Sequence, residues 1–147
     1  MRRKLVLAVM ITVMLFASGC GGSSSSGSSQ KKEADTEMRM KINDVDVHVE
    51  WENNESVNAL KASLPLSVNM HMYGGFEQVG SLGKSFTRND KRMTTSAGDI
   101  VLYSGNQIVI FYGSNTWEYT KLGRITGKSK SELKTLIDKS SVTLVIE

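Results

Sequence analysis

Ala97-Gly98-Asp99-Ile100-Val101-Leu102-Tyr103-Ser104-Gly105-Asn106-Gln107-Ile108-Val109-Ile110-Phe111-Tyr112-Gly113 is the stretch that decides the fold. Two apolar runs, Ile100 to Tyr103 and Gln107 to Tyr112, flank the turn-forming trio Ser104-Gly105-Asn106. Such runs around a turn cluster predict paired strands. The second run is the most apolar of the domain and predicts a central strand. Downstream, Gly113 to Thr116 reads as a loop and Trp117 to Ile125 as another strand. Ser129 and Glu132 have the spacing of a capping box, and Leu133, Leu136 and Ile137 make an apolar helix face. Val142 to Ile146 predicts a closing strand.

Upstream, Gly80 to Gly98 is polar and rich in Gly, Ser and Thr, which predicts a long loop, and loops of that length in small domains tend to be functional. Phe76 to Val79 predicts a short strand after the break at Gly74-Gly75. Leu66, Val68, Met70 and Met72 alternate with polar residues in a further strand. A helix capped by Asn53 or Asn54 runs to about Ser63, with Val57, Leu60 and Leu64 on one face, and Pro65 stops it. Met38, Met40 and Ile42, then Val45, Val47, Val49 and Trp51, alternate on either side of Asn43-Asp44 and predict a hairpin. The order is two strands, helix, about five strands, helix, strand. The 110 residues from Met38 to Glu147 suffice for one core. The expected fold is mainly β: a closed antiparallel barrel of about eight strands with two helices.

The stretch from Gly98 to Gly113, followed by Leu122-Gly123-Arg124-Ile125, closely resembles the bacterial cyclophilin-like family of uncharacterised proteins. Likeness to true cyclophilins is weaker. Asn106-Gln107 is similar to the Ser-Gln before their central strand, Trp117 to their loop Trp, and Leu122-Gly123-Arg124-Ile125 to their Phe-Gly-Arg-Val. Gly75-Phe76-Glu77-Gln78 is similar to their Gly-Phe-x-x-Gln, one residue short. The resemblance implies an eight-stranded barrel over 38–147 and raises the question of peptidyl-prolyl isomerisation. Isomerases of this fold use a third-strand Arg to stabilise the twisted amide, against a barrier of about 18–20 kcal/mol. Here the third strand reads Leu66-Ser67-Val68-Asn69-Met70-His71-Met72 and holds no Arg. Arg88 and Arg92 belong to the following loop, and a loop Arg is not preorganised. The sequence therefore favours binding without catalysis.

The residues expected to line a ligand groove are Trp117 and Phe76 as aromatic anchors, with Gln78 and Gln107 offering amides to a peptide backbone. The Gly80–Gly98 loop would form its rim. Arg124 is expected to be structural. Met70-His71-Met72 has ligands suited to copper, but strand alternation sends both Met side chains to the core and His71 to the other face, so no metal or other cofactor is expected. His48, between Asp46 and Glu50, reads as part of a solvated strand face. No nucleophile-elbow pattern is present.

The N-terminus carries a different message. Arg2, Arg3 and Lys4 precede an apolar run from Leu5 to Phe16 that is too short to span a bilayer. Ala17-Ser18-Gly19-Cys20 then resembles a lipobox, with Ala where Leu is usual. Residues 1–19 read as a lipoprotein signal peptide. Cys20, the only cysteine, is the expected lipidation site, and 20–37 reads as lipidated Cys plus a Ser/Gly-rich flexible linker. The protein is thus expected to be exported and anchored to a membrane on the extracytoplasmic side. The chain has 18 Lys+Arg against 15 Asp+Glu. The three basic residues of the signal account for the whole excess, which argues against a nucleic-acid partner. The expected partners are the membrane and a peptide or small-molecule ligand. The alternatives are a divergent prolyl isomerase acting on exported chains and an envelope docking domain that pairs through an edge strand.

Overall fold

The structure, a computed structural model, describes residues 37–147. The signal segment at 1–19, Cys20 and the linker up to residue 36 lie outside the described residues.

The hairpin forms as the alternation requires, from β1 (Met40–Ile42) and β2 (Val45–Trp51). Asn43 and Asp44 both take positive φ, 47° and 65°. A two-residue hairpin turn needs this left-handed pair, and Asn and Asp tolerate it best among residues with side chains. Helix α1 (Glu55–Lys61) starts at Asn54, whose side chain accepts the Val57 amide at 2.9 Å. It buries Val57 and Leu60. Strands β3 (Leu66–Tyr73), β4 (Glu77–Ser81), β5 (Lys91–Thr94), β6 (Asp99–Tyr103), β7 (Gln107–Phe111) and β8 (Thr116–Thr126) follow. Helix α2 (Lys130–Ile137) opens on the reciprocal Ser129–Glu132 capping box and buries Leu133 and Ile137, and β9 (Ser141–Ile146) ends the domain.

Eight strands close into an antiparallel ring, β2-β1-β9-β3-β4-β7-β6-β8, with β8 returning to β2. The closing seam depends on Gly123. A Cβ there would lie 2.7 Å from the Glu50 carbonyl oxygen and 3.2 Å from the Trp51 Cα, so only Gly lets the two strands meet. The barrel interior is apolar, and Met40, Ile42, Met70, Ile108, Ile110 and Leu144 are fully buried.

A second, smaller cluster sits on the outside of the same sheet: Val101, Val109, Phe111 and Tyr119, with Phe76, Val79 and Met93 against it. This explains why β7 is apolar at nearly every position. Ile108 and Ile110 join the barrel core, whereas Val109 and Phe111 join the outer cluster. The cover on the outside comes from the first part of β8. Thr116 to Tyr119 leave the ring and pair with β5, and β8 rejoins the barrel against β6 from Thr120 onward.

Two expectations need correction. The segment Gly80–Gly98 is not one long loop. Gly80 and Ser81 finish β4, and Lys91–Thr94 form β5, a ninth strand outside the ring. Only Met93 of that strand is partly buried against apolar neighbours, so no alternating apolar signal marks it. Met72 is not a core residue but 41% exposed, whereas Met70 is fully buried. Pairing of β3 with β9 stops at His71–Ser141, and Met72 lies past the end of that wall.

Candidate functional site

The residues that gave the sequence its family likeness build a corner of the scaffold. Gly98 has φ +94°, and a Cβ there would meet the Ile125 carbonyl oxygen at 3.0 Å. Asp99 is buried beside it. Its carboxylate accepts from the Ser96 amide at 2.8 Å, from the Ser96 hydroxyl at 3.3 Å and from Arg124 Nη1 at 3.0 Å. Arg124 Nη1 also donates to Ser96 Oγ at 3.0 Å. Arg124 is structural, as expected. Gly98-Asp99 and Gly123-Arg124 thus lock the start of β6 to β8.

A groove of about 410 Å³ lies on the outer face of the sheet, over the second cluster. Val79 and Val109 supply its apolar floor, with Gln107 beside them. Tyr73, Tyr103, Trp117 and Tyr119 surround it. Three of these, Tyr73, Tyr103 and Trp117, are among the few large hydrophobic side chains left exposed, and Trp117 is 53% exposed. Tyr119 is held rigidly: its ring packs edge-on against Phe111 at 5.6 Å and Tyr103 at 6.0 Å, and its hydroxyl accepts from Asn115 Nδ2 at 2.9 Å. Burial raises the Tyr119 pKa, and the nearby Glu77 charge adds to the rise.

Glu77 is the unusual member of the lining. Alternation along β4 sends Gln78 and Gly80 into the barrel and Glu77 and Val79 to the outer face. Glu77 is only 6% exposed, and its Oε2 is buried without a hydrogen-bond partner. Desolvation pushes its pKa up to about 7. Sequence reasoning passed over this residue. The signal available was its parity with Val79, on a strand paired with β7, which carries apolar residues on both faces.

The expected groove residues divide. Trp117 and Gln107 line the groove. Gln78 does not: it is fully buried inside the barrel, and its Nε2 donates to the Ile137 carbonyl at 2.9 Å and to that of Lys139 at 2.5 Å, fastening the end of α2. Phe76 is a packing residue of the second cluster rather than a groove wall. A Cβ on Gly113 would lie 2.6 Å from the Phe76 Cβ, and the Phe76 carbonyl accepts the amides of Tyr112 and Gly113, each at 2.9 Å. Arg88 and Arg92 line a separate polar cleft beside α1, where Arg88 reaches Asp90 at 3.5 Å. The groove itself is lined by no Lys, Arg or His. His48 Nδ1 lies 2.7 Å from Thr126 Oγ1 on an exposed strand face. Among the described residues no group of three or more His, Cys, Asp or Glu is gathered as metal ligands would be.

The model of the cyclophilin-like family matches residues 40–147. The chain belongs to that family. The match begins at the first strand and runs to the last residue, so the whole barrel is the cyclophilin-like domain. The fold also matches the solution structure of a hypothetical protein from Archaeoglobus fulgidus, with TM-score 0.54 and 19% identity, over 75% of this chain and 92% of that one. At that identity the likeness concerns the fold alone. No curated protein matches the sequence. Within the cyclophilin-like barrel, the corner at Asp99 and Arg124 is scaffold, and the aromatic groove lies toward the opposite ends of the same two strands, at Tyr103 of β6 and Trp117 and Tyr119 of β8.

Proposed function

We propose that this cyclophilin-like domain is a binding module that holds an extended peptide or small ligand in the outer groove, on an exported protein anchored to the membrane through Cys20. The observation that carries the reading is the set Tyr73, Tyr103 and Trp117, left exposed around one concavity. Exposed aromatic side chains gathered at a hollow are a recognition surface, because each offers a large apolar area at low entropic cost. Asn115 and Gln107 add polar groups at the edge. Binding without isomerisation is favoured because the groove lining holds no guanidinium to stabilise a twisted amide.

The test uses the full chain in mild detergent, titrated with pools of unstructured peptides while tryptophan emission is followed. A saturable shift that disappears in Trp117→Phe is expected; emission unchanged across all pools would refute the groove. Proline-peptide isomerisation by the same preparation is expected at the uncatalysed rate. For the anchor, Cys20→Ser is expected to release the protein from membranes or leave an unprocessed precursor.

A further inference from the structure

We infer that the groove selects ligands bearing an alkylammonium group, with Glu77 as its counter-charge and the surrounding aromatic rings as its walls. The inference rests on the groove being the binding site and names the chemistry of its ligand.

Three observations meet at Glu77. First, the carboxyl group is nine-tenths buried, and Oε2 has no donor to satisfy it. Buried acceptors are nearly always paired, so an unpaired one lining a groove stands ready for a donor brought by a ligand. Second, no cation of the protein shares the groove. The ionisable groups around Glu77 are Tyr73 and, one pair further along, His71 on β3, Tyr103 on β6, Tyr112 after β7 and Tyr119 on β8, with Asp138 beyond Tyr112. His71 does not line the groove, and no Lys or Arg does, so the lining holds an acid with no cation to answer it. Third, the walls are aromatic. The faces of Tyr and Trp rings attract cations, and they do so most strongly where water is excluded. An anionic ligand would meet Glu77 and find no cation, whereas a neutral donor would satisfy Oε2 but leave the charge of the carboxylate unanswered. An ammonium with N–H donors satisfies both the charge and the lone acceptor.

The pKa of Glu77, near 7, adds a signature. Seating a cation requires the carboxylate form, so at pH 7 binding should expel roughly half a proton per site, and affinity should rise from pH 5 to pH 8.

Two sources supply this chemistry, a lysine side chain of a peptide and a free aliphatic amine, and the experiment separates them. The full chain in detergent is titrated with N-acetyl-lysine methylamide, with cadaverine and with the neutral isostere N-acetyl-norleucine methylamide. Trp117 emission and calorimetry in two buffers of different ionisation enthalpy provide the readouts. The lysine derivative, cadaverine or both should bind at least tenfold more tightly than the norleucine derivative, with proton release. Glu77→Gln should abolish that preference and the proton release, the lysine derivative then binding no more tightly than the norleucine derivative. Equal binding of lysine and norleucine derivatives, or an undiminished preference in Glu77→Gln, would overturn the inference. If neutral peptides bind tightly and the charge makes no difference, the groove stands and its cation selectivity falls. If no compound or peptide binds at all, both readings fall.

Discussion

Asp99 and Glu77 are buried to nearly the same degree, 4% and 6% exposed, yet they are treated in opposite ways. Asp99 has an arginine, a hydroxyl and a backbone amide converging on it. Glu77 has a buried oxygen with no hydrogen-bond donor. The first pattern is that of a scaffold, where every buried charge is answered from within. The second leaves a buried acceptor unanswered, and the proposed ligand selectivity rests on it. The network around Asp99 holds the scaffold together, whereas the proposed ligand chemistry rests on Glu77.

The largest expected effect comes from Glu77. Its pKa in the folded protein, about 7, lies above the ordinary value of 4.5. A raised value means that the folded state favours the proton, so this contribution is fully present below pH 4.5 and is lost as pH rises to about 7. Stability should fall across that window by on the order of 3 kcal/mol. Glu77→Gln should remove this part of the slope, leaving the variant more stable than the parent at pH 8 by a comparable amount and little changed at pH 4. Urea unfolding at the two pH values checks it; an unchanged slope would mean that Glu77 is paired after all. Next comes Arg124→Met, which strands the Asp99 carboxylate and should cost about 2 kcal/mol, since Arg124 itself is half in water and part of its strength is already screened. Groove binding should be unaffected. The smallest effect is Ser96→Ala, which removes one donor to Asp99 while the amide and Arg124 remain, for about 0.5–1 kcal/mol. If Ser96→Ala cost as much as Arg124→Met, the contrast between a networked and a solitary acid would blur.

Much of the barrel was legible because its signals are local. The alternation around Asn43-Asp44, the Asn54 cap and the Ser129–Glu132 box each specify an element within a few residues. Strand β5 was not, because a two-stranded ribbon with little burial leaves no period in Lys91-Arg92-Met93-Thr94. The alternation of Met70 and Met72 was read correctly, but where the barrel wall ends is set by the length of β9, which lies some seventy residues away in the chain. For the groove, Trp117 and Gln107 were found through their likeness to a known pattern. Gln78 failed for the same reason: its position was matched, but its direction was set by the pleat. Glu77 stood one residue away and faced the groove. Which of two neighbours points outward depends on the register of β4 with β7, and that becomes visible only once the sheet is assembled.

The closed ring also bears on crowding, wherever many copies of the domain are held close together. A circular sheet offers neighbouring molecules no open ladder on which to grow. Among the described residues the strand outside the ring is β5, paired on one side with β8, only four residues long and headed by Lys91 and Arg92. Two adjacent positive charges on so short a rail discourage end-to-end zippering of one molecule onto the next. Under the proposed anchoring through Cys20, many copies side by side on a lipid leaflet should therefore remain separate particles.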